Sequence, residues 1–149
     1  MKYDYTLDLE GDNPVALFLQ RIRPESKVLE FGTSTGYMTQ YLAEKLQCSV
    51  WGVELDSEAA SRAGQYACRM IVADVDSLSW VAELEQERFD YVIFADVLEH
   101  LRKPKQALEA VRTFLSPEGV VMISTPNLAH NAVIMQLLQD EFTYRSTGL

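Results

Sequence analysis

The hydrophobic and polar positions along this chain alternate between two periods, that of an amphipathic helix and that of a buried strand. Between Val15 and Ile22 the apolar residues recur at helical spacing, which predicts a helix. Asn13 followed by Pro14 is typical of a helix start, because asparagine caps the first turn and proline has no N–H to leave unbonded. Pro24 ends the segment. The first predicted element is therefore one short helix.

Short apolar runs further along predict strands, and helical spacing fills the intervals between them. The strands are predicted at Lys27 to Phe31, Ser49 to Glu54, Met70 to Ala73, Phe89 to Ala95 and Val120 to Ser124. The helices are predicted after Gly36, from Asp56 or Ser57 towards Tyr66, around Trp80 and Leu84, from Pro104, and from Leu128 to Asp140. The fourth strand is almost continuously apolar, as expected for a parallel strand covered on both faces.

This alternation predicts an α/β protein with a doubly wound, mostly parallel sheet of about five strands and right-handed crossovers. No repeat or linker interrupts the pattern, so residues 1–149 are expected to form a single domain. In such sheets a ligand binds beyond the carboxyl ends of the strands, near the point where the strand order reverses. Candidate chemistry is therefore sought directly after each strand.

The loop after the first strand, Glu30 to Gly36, holds two glycines that permit a sharp turn and a close approach to a ligand. The following helix offers unbonded N–H groups at its start. A dinucleotide fingerprint requires glycine at the second and fifth positions after Gly32, which Ser34 and Tyr37 occupy. Glu30 opposes a pyrophosphate but suits a cationic ligand. Taken alone, the loop is also compatible with an ordinary strand-to-helix turn.

Acidic side chains end the second and third predicted strands. Glu54 stands where nucleotide-binding α/β folds hold the ribose hydroxyls. Asp74 is positioned to accept a hydrogen bond from an adenine amino group, with Val75 packing against the ring. The structural alternatives are an exposed residue before a helix for Glu54 and a turn residue for Asp74. Asp56 is better explained as a helix N-cap than as a ligand.

Five segments, in their order and spacing, resemble the motifs of class I S-adenosylmethionine (SAM)-dependent methyltransferases over essentially the whole chain. They are VLEFGTSTG (28–36), VWGVELD (50–56), IVADV (71–75), FDYVIFADVLEHL (89–101) and GVVMISTPN (119–127). The resemblance implies a Rossmann-like methyltransferase fold, S-adenosyl-L-methionine as the cofactor and S-adenosyl-L-homocysteine (SAH) as its product. SAM carries an ammonium and a sulfonium and no phosphate. The family fold has seven strands, so the five predicted strands imply that the last two are lacking.

The resemblance also assigns residues to the cofactor. The glycine loop would line the methionine moiety, the end of the second strand would take both ribose hydroxyls, the end of the third would take the adenine amino group, and the end of the fourth would close the site. The set implied in this way is Glu30, Phe31, Gly32, Thr33, Gly36, Glu54, Leu55, Asp74, Val75, Asp96 and Val97. Many members have glycine where this chain has Ser34, and serine fits there if its φ is negative.

His100 is the candidate catalytic base, because imidazole titrates near neutrality and an oxygen or nitrogen nucleophile needs a proton acceptor. The alternative is that Glu99 and His100 begin a helix and shape the pocket without exchanging protons. His130 is the other histidine, and a solvated side chain is its simpler interpretation. The DVLEH and STPN segments resemble those of small-molecule O-methyltransferases, which include ubiquinone-biosynthesis enzymes and domains associated with glycan assembly.

The same segments resemble the 3′-terminal 2′-O-methyltransferases of small RNAs, in which carboxylates and histidines hold a metal. Asp96, Glu99 and His100 would supply part of such a set, but no second histidine is convincingly placed, and no metal is predicted. The net charge of −9 also opposes a nucleic-acid partner. The densest basic group, Arg102 to Lys105, is too short to form a basic patch.

The remaining features bound the setting of the protein. No apolar run approaches the roughly 20 residues that span a bilayer, and the first residues have no signal-peptide pattern, so we expect a cytoplasmic protein without a membrane partner. Cys48 and Cys68 are expected to be buried free thiols. If the last two strands are lacking, the edge strand is left unpaired, and it is expected either to pair with another copy in a homodimer or to be covered by the last helix.

These observations favour a SAM-dependent methyltransferase, or its cofactor-binding portion, that moves a methyl group to an oxygen or nitrogen of a small molecule or sugar. The alternative is a non-catalytic binding module with the same fold. A nicotinamide-dependent dehydrogenase is disfavoured because the glycine spacing fails.

Overall fold

The computed structural model describes residues 13–127 together with Ile134, Leu138 and Gln139. Five strands form one sheet in the order β3-β2-β1-β4-β5, and every neighbouring pair is parallel. They are β1 Lys27–Phe31, β2 Ser49–Glu54, β3 Arg69–Val72, β4 Phe89–Ala95 and β5 Leu115–Ser124. The predicted doubly wound parallel sheet is therefore confirmed. Most of the predicted closing helix from Leu128 to Asp140 lies outside the described residues. His130 also lies outside them.

Helices connect the strands as the sequence predicts. They are α1 Pro14–Leu19, α2 Tyr37–Glu44, α3 Ser57–Ala63, α4 Trp80–Glu83 and α5 Pro104–Val111, with 3₁₀-helices at Val75–Ser77, Leu98–His100 and Arg112–Phe114. Both predicted N-caps are confirmed. The Asn13 side chain accepts the N–H of Ala16 at 2.9 Å, and the Asp56 side chain accepts the N–H groups of Glu58 and Ala59 in the first turn of α3.

Apolar side chains cover both faces of the sheet. Along β1, Val28 packs in a cluster with Leu42 of α2, whereas its neighbour Leu29 packs in a second cluster with Trp80 of α4 and Val111 of α5. Successive residues of a strand face opposite sides, so this division places helices on each face. The result is three layers, and it explains why the central strands are apolar throughout.

Trp80 anchors the second cluster beneath the carboxyl end of β3. Its side chain is fully buried, and its indole N–H donates to the carbonyl of Val75 at 3.0 Å. Phe31 lies between it and Phe94, edge-on to the indole and stacked on the other ring with centroids 4.5 Å apart. The backbone just after β3 is therefore tied to the core.

The amino ends of the strands carry a separate cluster around the other tryptophan. Lys27 and Arg69, the first residues of β1 and β3, lie 5.3 Å and 5.1 Å from the centroid of the Trp51 ring. Phe89, the first residue of β4, meets the same ring edge-on at 5.8 Å. Cation–π contacts thus join three strands at the end remote from the expected ligand.

Four details differ from the sequence-based expectations. β3 lies one residue earlier than predicted, at Arg69–Val72. β5 begins at Leu115 instead of Val120, because Leu115 pairs with Phe89 before a register shift that the intervening Ser-Pro-Glu-Gly segment takes up. Helix α4 has only four residues. Cys48 is buried as expected, but Cys68 is exposed, directly before the edge strand β3.

Candidate functional site

The crevice of this sheet lies where the strand order reverses, between β1 and β4. β1 pairs with β2 on one side and with β4 on the other, so the chain leaves in opposite directions from this point. Ligands of doubly wound sheets bind beyond the carboxyl ends at such a point. The segments that follow β1, β2, β3 and β4 therefore surround one candidate site.

The glycine loop after β1 has the backbone that its sequence suggested. Gly32 has a φ of +72°, and a Cβ placed there would lie 2.6 Å from a methyl carbon of Val97. Gly36 has a φ of +88°, and its Cβ would lie 2.6 Å from the Cα of Ala63 in α3. Both the left-handed backbone and the close neighbours require glycine. The loop is thereby packed against the segment after β4 and against α3.

The φ of Ser34 is +49°, so the condition under which serine fits this position easily, a negative φ, is not met. Its N–H donates to Oε2 of Glu54 at 2.8 Å, and this bond accompanies the unusual backbone. The hydroxyls of Ser34 and Thr33 are buried and have no hydrogen-bond partner among the described residues. Buried hydroxyls without partners are costly and are uncommon away from functional sites.

Glu54, at the end of β2, is held by three backbone N–H groups. Oε1 accepts from Leu55 at 2.8 Å and from Asp56 at 3.0 Å, and Oε2 accepts from Ser34. A carboxylate offers about four acceptor positions, so roughly one remains for a ligand hydroxyl. The side chain of Leu55 is 68% exposed beside it. The carboxylate is thus fixed in direction before any ligand arrives.

Glu30 lies inside the protein, below the glycine loop. Its side chain is 1% exposed, and the Thr39 hydroxyl of α2 donates to its Oε2 at 2.8 Å. Burial raises the pKa of Glu30 to about 8; the charge of Glu54 also raises it, and the bond from Thr39 opposes the rise. The neighbouring Phe31 points its ring into the core, which leaves only its backbone for a ligand.

Asp74 and Val75 follow β3. The Asp74 carboxylate accepts the N–H of Asp76 at 2.9 Å and caps the 3₁₀-helix Val75–Ser77. Val75 is buried, and Trp80 holds its carbonyl. Asp74 is therefore a turn residue, as its structural alternative proposed, and it is also exposed at the strand end. A capping carboxylate keeps acceptor positions for a ligand.

Asp96 directly follows β4 and has a left-handed conformation, with a φ of +53°. The Ser124 hydroxyl at the end of β5 donates to its Oδ1 at 2.8 Å and accepts its N–H at 3.0 Å. Non-glycine residues in this conformation often mark functional sites. Ser124 was not singled out from the sequence, because its role depends on the pairing of β4 with β5.

His100 lies on the surface in the 3₁₀-helix Leu98–His100. Its backbone N–H donates to the carbonyl of Val97 at 3.0 Å. Glu99 beside it is also exposed. Across residues 13–127, no group of three or more histidine, cysteine, aspartate or glutamate side chains is arranged to hold a metal ion. The same part of the chain contains no helix long and apolar enough to cross a bilayer.

A polar hollow of about 330 Å³ opens between the start of α2 and the end of α3. It is lined by Thr35, Gly36, Tyr37, Gln40, Arg62, Gln65 and Tyr66. The acidic residues at the strand ends do not line it. We therefore assign the candidate site to the crevice beyond the strands, where fold geometry and acidic side chains coincide, and not to this hollow.

Comparison with known proteins identifies the family of this chain. The methyltransferase domain family matches residues 3–145. A ubiquinone biosynthesis O-methyltransferase of Glaesserella parasuis serovar 5 (strain SH0165) is 25% identical over 126 residues, which cover 80% of this chain and 53% of that protein. The chain thus spans about half the length of the curated relatives that it matches.

Solved structures share the fold. Coclaurine N-methyltransferase bound to N-methylheliamine and SAH superposes with a TM-score of 0.61 at 19% identity, covering 72% of this chain and 33% of that one. The plantazolicin methyltransferase BpumL in complex with SAH gives 0.59 at 18% identity, covering 74% and 47%. The sheet, the glycine loop and the match over residues 3–145 lead to one conclusion: the chain belongs to the methyltransferase domain family, with the class I Rossmann-like fold.

Proposed function

We propose that this chain binds SAM in the crevice beyond β1, β2, β3 and β4 and transfers its methyl group to an oxygen of a small hydroxylated molecule. The observation that carries the proposal is the fixed carboxylate of Glu54, which backbone N–H groups hold with an acceptor position left for a ribose hydroxyl. Preorganised acceptors of this kind favour a ligand because little side-chain freedom is lost on binding.

The acidic side chains around the crevice fit SAM, which is a cation, better than a ligand that carries a phosphate. Glu54, Asp74 and Asp96 are acidic and lie at the strand ends around the crevice. Glu30, in contrast, is buried and its pKa is raised to about 8, so it is not counted as a charge near neutral pH. A cation gains from carboxylates that would repel a pyrophosphate. The glycine backbone at 32 and 36 leaves no Cβ between the loop and its neighbours.

When bound, SAM supplies a methyl group already activated by its sulfonium, and it leaves as SAH. The residues of this chain then have to bind and align. Glu54 holds the ribose, Asp74 accepts from the adenine amino group, and Glu30 faces the methionine end. His100 is the proposed acceptor of the proton that the attacking hydroxyl loses; in the alternative role, it only shapes the entrance.

An oxygen acceptor is supported by the relatives. Curated proteins that match this chain include O-methyltransferases of ubiquinone biosynthesis, and the DVLEH segment resembles that of small-molecule O-methyltransferases. We therefore propose a small hydroxylated acceptor, an aromatic alcohol or a sugar. Methyl transfer to a nitrogen acceptor is the alternative that the same geometry would support.

Calorimetry with SAM, SAH and NAD tests the cofactor. We expect binding of SAM and SAH, and Glu54→Ala should weaken it by roughly 1.5–3 kcal/mol, the range for hydrogen bonds to a charged group. Glu58→Ala removes an equal charge from the exposed face of α3 and should leave affinity unchanged. Binding of NAD without any response to SAM would contradict the proposal.

Methyl transfer is then assayed with radiolabelled SAM against a panel of hydroxylated aromatics and sugars. Turnover with an oxygen acceptor supports the proposed reaction, and His100→Gln should lower it without changing the affinity for SAH. SAM binding with no transfer to any acceptor would instead favour the non-catalytic binding module.

A further inference from the structure

Asp76 joins two segments that lie far apart in the sequence. Its Oδ2 accepts the N–H of Arg102 at 2.9 Å, and its Oδ1 accepts the N–H of Lys103 at 3.0 Å. The residue belongs to the 3₁₀-helix after β3, and its partners precede α5. In the sheet, β2 and β1 stand between β3 and β4. The two bonds therefore connect the segments at the two sides of the crevice.

The start of α5 depends on this carboxylate. Lys103 occupies the N-cap position without a capping side-chain bond of its own, and Pro104 follows at the first helical position. Helix starts require acceptors for their N–H groups and favour negative charge. The bonds from Arg102 and Lys103, together with the charges of these residues, lower the pKa of Asp76 below its usual range. Asp76 thus fixes the backbone of the two residues that lead into α5.

The same residue is also tied to the expected adenine contact. The N–H of Asp76 donates to Oδ1 of Asp74 at 2.9 Å. One hydrogen-bonded path therefore runs from Asp74 through Asp76 to Arg102, which stands two residues after His100. Leu98 and Leu101 are packed against the core cluster, so the segment has other anchors and loss of Asp76 would shift it without releasing it.

We propose that Asp76 is a positioning residue, which sets the place of the segment Asp96–Lys103, with His100, relative to the loop that holds Asp74. The inference rests on the proposed function, since it takes the Asp74 side as the cofactor side and the His100 side as the acceptor side. Cofactor binding beside Asp74 should therefore change the surroundings of His100. Asp76 itself touches neither cofactor nor acceptor in this role.

The test compares the full chain with Asp76→Ala, Asp76→Asn and Glu109→Gln, using SAH as the probe. The His100 ring resonance is followed by NMR and is distinguished from that of His130 with His130→Gln. In the wild type, SAH should move this resonance. In Asp76→Ala the SAH-induced movement should be largely lost although SAH still binds. Asp76→Asn keeps one carbonyl acceptor and should restore part of it. Glu109→Gln, on the exposed face of α5, should behave as wild type.

Turnover provides the second measurement. With an acceptor identified from the panel, Asp76→Ala should lower kcat by about 10-fold to 100-fold, the scale of a misplaced catalytic group, with KM for SAM nearly unchanged. Equal losses in SAH affinity and kcat would overturn the inference, because Asp76 would then act on the cofactor directly. SAH binding that leaves the His100 resonance of the wild type unmoved would overturn this inference alone. No SAH binding to the wild type would overturn the proposed function and this inference together.

Discussion

Ser34 combines two unfavourable features, a left-handed backbone and a buried hydroxyl without a partner among the described residues. Ser34→Gly removes both features and should therefore stabilise the folded state. The greater conformational freedom of glycine in the unfolded chain offsets part of this stabilisation. We expect the free energy of unfolding to rise by roughly 1–2 kcal/mol, measured by urea denaturation. Gln47→Gly is the control, because Gln47 is also left-handed but exposed, and its gain should be smaller. Equal increases in the free energy of unfolding for the two variants would mean that the buried hydroxyl of Ser34 does not destabilise the fold.

Glu30 makes stability depend on pH in an unusual direction for an acid. Its folded pKa is about 8 against an ordinary value of 4.5, so between these limits the folded state keeps a proton that the unfolded state loses. The free energy of unfolding should therefore fall as pH rises through this window, by at most about 1.4 kcal/mol per pH unit.

Glu30→Gln keeps an acceptor for Thr39 and abolishes the titration. Its stability relative to the wild type should grow from pH 5 to pH 8 in urea denaturation. Glu44→Gln changes the same charge on the exposed side of α2 and should not alter the pH dependence. Parallel curves for Glu30→Gln and the wild type would show that Glu30 does not retain its proton.

At the scale of elements, Gly36 sets how closely α2 approaches α3. Gly36→Ala would place a Cβ 2.6 Å from the Cα of Ala63 at a φ of +88°. We expect a loss of roughly 2–4 kcal/mol in the free energy of unfolding, from backbone strain and overpacking together. Gly64→Ala is the matched control: its φ is −60° and its nearest contact would be 3.1 Å, so a change within about 1 kcal/mol is expected. Similar losses for both would remove the special role of the α2–α3 contact.

Much of this architecture could be predicted from hydrophobic period and turn residues. The bounds of β1, β2 and β4 follow from apolar runs, and the caps at Asn13 and Asp56 follow from local side-chain chemistry. The early start of β5 could not be predicted, because it depends on pairing with β4 across a register shift. Hydrophobic period and capping residues predict where an element lies, but they do not predict how one strand pairs with another.

The candidate site divides in the same way. The strand-end position of Glu54 follows from the sequence, whereas its three backbone partners and the φ of Ser34 require the folded loop. Asp76 had no sequence signal, since its partners are main-chain groups 26 and 27 residues away. The acidic residues at strand ends could be located from the sequence, whereas contacts with distant main-chain groups could not.

At the scale of the whole molecule, the homodimer expected from the sequence stays a prediction. Within the described part of the chain, β5 is the outer strand of the sheet, and Val120 and Ile123 are 46% and 43% exposed. Ile123→Lys should weaken self-association in sedimentation experiments, because charge on an edge strand opposes pairing. Val72→Lys, on the opposite edge strand β3, is the control. A monomeric wild type at all concentrations would contradict the prediction.

The two tryptophans lie near opposite ends of the strands, Trp80 in helix α4 and Trp51 in β2, so their fluorescence can report on ligand binding. Trp80 is bonded to the carbonyl of Val75, beside the expected adenine position, so its emission should respond when the crevice fills. Trp51 lies beneath Lys27 and Arg69 at the amino ends of the strands and should serve as an internal reference. Ligand occupancy thereby becomes measurable by fluorescence without a label.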